Sequence, residues 1–352
     1  MLKYKNIKTN IISGFLGAGK TTAIKHLISL KPPDETWAVI VNEFGQTGVD
    51  GKLLENKGVA IKEIPGGCLC CTTSQSFSVG LNQLIKEYHP QRILIEPTGL
   101  GHPAKLIQTL TNEYYKDVLD LRAVINLLDA RHLSDARYLQ HDTFRQQIDL
   151  ADILVANKMD LYSTADCESF YQFVKHLQRP EPYQFMCENA ELELKWLDIE
   201  HDVKRADFAL ATDRGSTDHG SKHHQHTQEL AAADKRSNKL WSIVERTADG
   251  YYSVSWQTAS QIYFSENLIS WLYASRRQYK LDRIKAVLCI EGKWMSVNMT
   301  ADDSEINTVG SQQQNILEVI STGHLAIDLM TSMLESFFIN TLTEHTGIHD
   351  VC

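Results

Sequence analysis

The stretch "GFLGAGKTT", Gly14 to Thr22, closes the apolar run "TNIISGF" (Thr9–Phe15) and opens the amphipathic segment Thr21–Leu30. Its spacing is G-x-x-x-x-G-K-T placed between an expected strand and an expected helix, the context in which that pattern has a mechanism. The glycines let backbone N–H groups of Gly14, Gly17, Ala18 and Gly19 turn toward an anion, and the following helix presents its N-terminus to the same point. Lys20 can then reach β and γ phosphates, Thr21 can ligate Mg²⁺, and Thr22 continues the cradle. An ordinary Gly-rich turn is the competing reading. The flanking strand and helix argue against it.

Working outward, "WAVIVNE" (Trp37–Glu43), "RILIEPT" (Arg92–Thr98), "LRAVINLLD" (Leu121–Asp129) and "ADILVANK" (Ala151–Lys158) read as further buried strands, with a helix expected over Phe77–Tyr88. Strands rich in Val, Ile and Leu alternating with helices predict an α/β fold with a parallel sheet covered on both faces. At 352 residues two domains are expected. The alternation fades after Ala211, and the polar stretch Thr212–Asn238, rich in Ser, Asp and His, has a linker composition. A smaller α+β domain is expected over 239–352, from a strand at "YYSVSW" (Tyr251–Trp256), a helix over Ser265–Arg277, and a hairpin over Arg283–Thr300 turning at Glu291–Gly292–Lys293. The strand "NILEVIST" (Asn315–Thr322) and a closing helix over Leu325–Ile339 complete it.

With 35 Lys and Arg against 44 Asp and Glu, the formal net charge is −9 and no long basic run occurs, which argues against nucleic acid as the main partner. No apolar run reaches membrane-spanning length and the N-terminus lacks a signal-peptide core, so no membrane partner and a cytoplasmic location are expected.

Two motifs choose the nucleotide and its metal. "NKMD" places Asn157, Lys158 and Asp160 after an apolar strand, where a carboxylate can accept from the N1–H and exocyclic amine of guanine. A polar strand-to-helix loop is the alternative, and the upstream phosphate motif weighs toward GTP. In "IEPTGLGHP", Glu96 at a strand end is placed to hold Mg²⁺ through water, or else to cap the next element, and Gly99 can offer its N–H to the γ-phosphate. His102 nearby reads as a plain loop histidine.

"GGCLCC" (Gly66–Cys71) puts Cys68, Cys70 and Cys71 into four positions of a chain with seven cysteines. Thiolates are soft ligands suited to Zn²⁺, Co²⁺ or Cu⁺, and two or three of them leave a coordination position open for transfer. A redox pair and inert buried cysteines are the competing readings. Cys167, Cys187, Cys289 and Cys352 are scattered and read as core or surface thiols. His219, His223, His224 and His226 in the linker can gather Zn²⁺ or Ni²⁺ weakly, or simply belong to a polar linker.

Together the phosphate motif, "VNEFG" (Val41–Gly45), "GGCLCC", "IEPTGLGHP" and "NKMD" resemble the CobW/YjiA-type P-loop GTPases, in that family's order and spacing over about residues 9–160. The resemblance implies a GTP-dependent metallochaperone with GTP/GDP, Mg²⁺ and Zn²⁺ (or Co²⁺). It carries Cys68, Cys70 and Cys71 over as metal ligands, and Lys20, Thr21 and Glu96 as the phosphate and Mg²⁺ residues of catalysis. Asn157, Lys158 and Asp160 carry over as guanine readers. Gln46 stands where members often have an acidic residue, leaving Glu43 and Asp50 as weaker candidates, and "RIKA" replaces the usual R-x-K-G. Slow intrinsic turnover is expected, with a client metalloprotein or a second copy in a homodimer as activator. The other readings are a metal sensor or store in which nucleotide only tunes affinity, insertion of cobalt into a cofactor-biosynthesis enzyme, and a P-loop kinase, against which "NKMD" speaks.

Overall fold

A computed structural model describes residues 4–41, 58–63, 74–99, 103–177, 182–205, 234–237, 240–248, 251–258, 262–300, 304–312 and 314–339. The chain divides into two compact units, Met1–Thr227 and Gln228–Cys352.

In the first unit the described residues form one parallel sheet of seven strands: β1 (Ile7–Gly14), β2 (Trp37–Val41), β3 (Val59–Glu63), β4 (Arg92–Glu96), β5 (Leu119–Leu128), β6 (Ile153–Ala156) and β7 (Tyr183–Met186). Their order is β3-β2-β4-β1-β5-β6-β7, with every neighbouring pair parallel. The five expected strands are all present, β1 beginning at Ile7 and β5 at Leu119. β3 and β7, one at each edge, were not among the expected strands.

Side chains alternate between two cores. On one face Ile12, Val39, Leu94, Ile125 and Val155 pack with Ala23, Ile24 and Leu27 of the helix Lys20–Ser29 and with Trp196. On the other, Ile11, Ile40, Ile93, Ile95 and Val124 pack with Phe77, Leu81 and Leu84 of Ser74–Tyr88 and with Leu106, Ile107 and Leu110 of Pro103–Leu110. Each fully buried Ile, Leu or Val contributes about 1.5–3 kcal/mol relative to exposure, so a strand such as β2, buried at all five positions, is held by both faces at once. Parallel stacking aligns the C-terminal ends of β1, β4 and β6, which gathers Gly14, Glu96 and Asn157 at one end of the sheet.

The second unit has a mixed sheet. Among its described strands β8 (Asp234–Ser237), β9 (Trp241–Ala248), β10 (Tyr251–Thr258), β12 (Arg283–Ile290), β13 (Lys293–Thr300), β14 (Ser304–Thr308) and β15 (Ile316–Ser321) run in the order β14-β13-β12-β15-β10-β9-β8, with β11 (Tyr263–Phe264) beside β12 and β16 (Phe338–Ile339) beside β11. The helices Asn267–Gln278 and Ile327–Glu335 supply Leu268, Leu272, Met330 and Leu334 to a core containing Trp241, Trp256 and Phe264. The hairpin turns on two residues, Glu291 (φ 47°) and Gly292 (φ 80°), with Lys293 already in β13. Two consecutive positive φ values match the right-handed twist of the flanking strands.

Two expectations need correcting here. The closing helix ends at Glu335 rather than Ile339, because Phe338–Ile339 pair with Tyr263–Phe264 as a strand. The stretch expected as linker also contains β8, whose Asp234–Ser237 pair with Ser242–Glu245 of β9; the rest of 212–233, with all four linker histidines, lies outside the described residues.

Candidate functional site

The phosphate loop is shaped by glycines that nothing larger could replace. Gly14 (φ 148°), Gly17 (φ 73°) and Gly19 (φ 97°) all occupy the region that L side chains avoid. A Cβ on Gly14 would sit 2.5 Å from the Leu127 carbonyl oxygen, and one on Gly19 2.4 Å from Asn157 Nδ2. Ala18 is buried between them. Gly19 caps the helix Lys20–Ser29 without any side-chain hydrogen bond, and that helix has no acidic residue in its first turn. Its leading N–H groups and its dipole are therefore unneutralised by a carboxylate of its own first turn.

Lys20 is buried and donates from Nζ to the Phe15 carbonyl at 3.1 Å, which folds its ammonium back over the loop. Thr22 is exposed at the start of the same helix. Thr21 donates from Oγ1 to Glu96 Oε1 at 2.7 Å across 75 residues of sequence. Glu96, at the end of β4, is only 4% exposed. A hydroxyl and a carboxylate oxygen meeting at the mouth of an N–H cradle are hard donors of the kind that Mg²⁺ takes beside phosphates, and a helix N-terminus with no acidic residue in its first turn suits a polyphosphate. The residues present fit both groups.

Gly99 is in the turn after β4. A Cβ there would lie 2.7 Å from Leu16 Cδ2 and 3.0 Å from Leu16 N, so this turn is pressed against the phosphate loop itself. Its carbonyl accepts from Gln147 Nε2 at 2.9 Å.

Asn157 is buried and joins two loops. Its Nδ2 donates to the Ala18 carbonyl at 2.9 Å, and its Oδ1 accepts from Ala190 N at 2.8 Å. Cys187 Sγ also approaches that oxygen, at 3.6 Å. Asn189 and Ala190 both have positive φ (52° and 56°), strained for residues with a Cβ. Lys158 (φ 67°) turns the backbone out of β6, and its Nζ stands 4.0 Å from Asp129 Oδ2. Burial works to raise the Asp129 pKa; hydrogen bonds from Arg131 and the charges of His132 and Arg131 outweigh it and hold the carboxyl below its ordinary value. Tyr162 donates from its hydroxyl to the Asn157 carbonyl and accepts there from Ala130 N at 2.8 Å. Burial, foremost, raises the Tyr162 phenol, and it pushes the Cys187 thiol up to about 11. Both therefore remain protonated and serve as donors. Asp160 is exposed in the short turn Met159–Leu161 beside these residues.

The structure thus brings together Gly14, Gly17, Ala18, Gly19, Lys20, Thr21, Glu96, Gly99 and Asn157, with Lys158 and Asp160 in the loop that Asn157 opens. Cys68, Cys70 and Cys71 lie outside the described residues, as do Glu43, Gln46, Asp50 and His102. Among the described residues no group of three or more His, Cys, Asp or Glu side chains is arranged to hold a metal ion, and no helix is long and apolar enough to cross a membrane. Cys187 and Cys289 are buried thiols and Cys167 is partly exposed. Sequence reasoning missed Asp129, Tyr162, Ala190 and Gln147. A faint signal existed for Ala190: it follows Asn189, a residue type that enters the left-handed region more readily than most.

This fold and cradle define a P-loop nucleotide-binding protein. The model of the CobW/HypB/UreG nucleotide-binding domain matches residues 8–184, and the chain belongs to that family. It is 36% identical over 331 residues to the zinc chaperone YeiR of Escherichia coli, covering 93% of this chain and 97% of that protein. It is 33% identical over 166 residues to the zinc chaperone YjiA of the same organism, covering 46% of this chain and 52% of YjiA. Against the zinc chaperone CobW of a Sinorhizobium species it is 28% identical over 214 residues, covering 53% and 60%.

Proposed function

We propose that the protein is a GTP-hydrolysing metallochaperone which captures a transition metal, zinc foremost, at Cys68, Cys70 and Cys71 and releases it to a client metalloprotein as the nucleotide turns over. The observation that carries the nucleotide half is the Thr21–Glu96 hydrogen bond of 2.7 Å at the mouth of the glycine cradle. The names of the relatives support the metal half, together with the three thiols between "VNEFG" and Glu96.

In this reading the domain of residues 1–211 binds nucleotide, the segment that follows it tethers the second unit, and that unit, from β8 (Asp234–Ser237) onward, serves the client. Thr21 and Glu96 would hold Mg²⁺, which would supply charge neutralisation on the bound phosphates. Lys20 and the N–H groups of Gly17 to Thr21 stabilise the charge that develops as the γ-phosphoryl group leaves. Asn157 keeps the cradle and the base loop in register, Lys158 flanks the base, and Asp160 accepts from guanine. Gly99 offers its N–H to the γ-phosphate. No described side chain stands out as a general base, so turnover by the isolated protein is slow and a client or second copy accelerates it. The protein works in the cytosol, where thiolates stay reduced.

The test joins both halves. The wild type should hydrolyse GTP to GDP and phosphate and bind about one zinc per chain. Lys20→Ala should lose hydrolysis while keeping zinc, and Cys68→Ala/Cys70→Ala/Cys71→Ala should lose zinc while keeping GDP. Asp160→Asn should shift preference from guanosine to xanthosine nucleotides. Zinc bound as tightly by the triple variant would move the metal site away from Cys68, Cys70 and Cys71, whereas a wild type that binds no zinc would leave a plain GTPase.

A further inference from the structure

The helix Asp142–Asp149 contacts both the phosphate loop and the turn at Gly99 without being part of the nucleotide site. Its Phe144 meets Phe15 of the phosphate loop edge-on, with ring centroids 5.8 Å apart, and its N-cap His141 meets the same ring at 4.9 Å. Tyr138 closes the cluster at 5.6 Å from Phe15 and 5.9 Å from Phe144. The Phe15 carbonyl, in turn, is the acceptor that holds Lys20. One helical turn on from Phe144, Gln147 is 1% exposed and donates to the Gly99 carbonyl at 2.9 Å. One rigid element therefore grips Phe15 with rings and Gly99 with an amide.

Gly99 has no side chain with which to fix its own orientation. Leu16 occupies the space a Cβ would need, and Gln147 anchors the carbonyl, so the residue is clamped between the phosphate loop and the helix. Polar side chains flank the two loops in the chain or across the sheet. Ser13 Oγ and Asn126 Oδ1, on register partners of β1 and β5, and Thr98 Oγ1 are buried with no hydrogen-bond partner among the described residues. An amide–carbonyl bond in such a setting fixes direction strongly, because the alternative is a second buried polar group left unmatched.

We propose that Gln147 is a positioning residue for recognition of the γ-phosphate: it holds the Gly99 peptide where its N–H meets that group, and so sets how well the protein tells GTP from GDP. The proposal rests on the reading of Gly99 as a γ-phosphate contact. Gln147 touches no nucleotide and does no chemistry itself.

The experiment measures GDP and GTPγS affinities of the full chain by displacement of a fluorescent guanine nucleotide, with thermal melting alongside. Gln147→Met keeps the volume and removes the donor. It should weaken GTPγS about tenfold, roughly 1.4 kcal/mol, while GDP stays within about twofold and kcat at saturating GTP falls. Gln147→Glu supplies the second reading. Its carboxylate repels the Gly99 carbonyl, whereas its protonated form can donate, so preference for GTPγS should recover as pH falls, in a way the wild type does not show. Equal losses for both nucleotides, or no loss of GTPγS in either variant, overturn the proposal. Absence of guanine preference in the wild type, or an Asp160→Asn variant that gains no xanthosine preference, instead overturns the nucleotide reading beneath it.

Discussion

The two ends of the parallel sheet put buried charged residues to opposite purposes. At the N-terminal end, buried charges are matched to partners. Arg92 donates to Asn10 Oδ1 at 2.8 Å, the Leu197 carbonyl at 3.0 Å and Asp198 at 2.6 Å, and its guanidinium lies over the Trp37 ring at 5.6 Å. Asp152, 3% exposed, accepts from Val124 N at 2.8 Å, His201 Nδ1 at 2.8 Å and Asp202 N at 3.0 Å, and pairs with Arg205 Nε at 3.2 Å. At the C-terminal end, glycines hold the backbone in conformations other residues resist, and Lys20, Glu96 and the helix N-terminus are aimed at a common point. One end is built to hold the fold and the other to hold a ligand, so variants should separate stability from binding.

The largest expected stability effect is at the structural end. Asp152→Ala removes the buried carboxylate that Arg205, His201 and the Val124 and Asp202 N–H groups share, and should cost about 3–5 kcal/mol, as breaking a buried pair does. A clear fall in the denaturation midpoint, with nucleotide affinity of the folded fraction unchanged, is the result to look for. Gly19→Ala should invert the pattern. Its Cβ meets Asn157 Nδ2 at a φ of 97°, so guanine nucleotide affinity should fall at least about a hundredfold, roughly 2.7 kcal/mol. Its melting temperature should drop less than that of Asp152→Ala. If both variants lose stability and binding in proportion, the division between the ends is wrong.

Asn157→Ala lies between the extremes, since it removes the tie between Ala18 and the Asn189–Ala190 turn. A loss of about 1–3 kcal/mol is expected from the buried groups left unmatched, with a parallel loss of nucleotide affinity, both readable from one titration series. The acid limb sharpens the comparison further. Asp129, despite its burial, and Asp198, through Lys8 and Arg92, have pKa values held below the ordinary carboxylate value. Groups depressed in the folded state contribute stability that is full above about pH 4, their unfolded value, and is lost as pH falls through the folded value. Stability should therefore be flat above that point and decline below it, and Asp129→Asn should flatten the decline. The smallest effect belongs to the second unit. Thr331→Val removes the acceptor of Trp256 Nε1, 2.8 Å away, and should cost about 1 kcal/mol in thermal denaturation without touching GTP affinity.

Much of the binding end was legible before any coordinates. The cradle, Glu96 and the "NKMD" loop are short-range patterns whose chemistry needs fixed spacings; β2, β6 and the middle of β4 are continuous apolar runs, and β1 and β5 are apolar stretches broken by a few polar residues. What stayed hidden depends on contacts between distant residues. Gln147 meets Gly99 across 48 positions and Asn157 meets Ala18 across 139, and nothing in "DTFRQQID" marks its second glutamine. β3 ("VAIKE") and β7 ("YQFM") are short edge strands without a continuous apolar run. β8 ("DKRS") is polar throughout and takes its form from pairing with β9. The structural end was equally unreadable, because Arg92, Asp152 and His201 look like ordinary surface residues until their burial is known.

The central claim joins nucleotide to metal, and one measurement addresses it most directly. Zinc affinity is determined by competition with a chromogenic chelator, in GDP and in a non-hydrolysable GTP analogue with Mg²⁺, for the wild type and for Cys68→Ala/Cys70→Ala/Cys71→Ala. The account predicts at least about tenfold tighter zinc binding in the GTP analogue, some 1.4 kcal/mol of coupling, and its loss in the triple variant. Equal zinc affinity in both nucleotide states would contradict it, leaving a metal store that merely shares a chain with a GTPase.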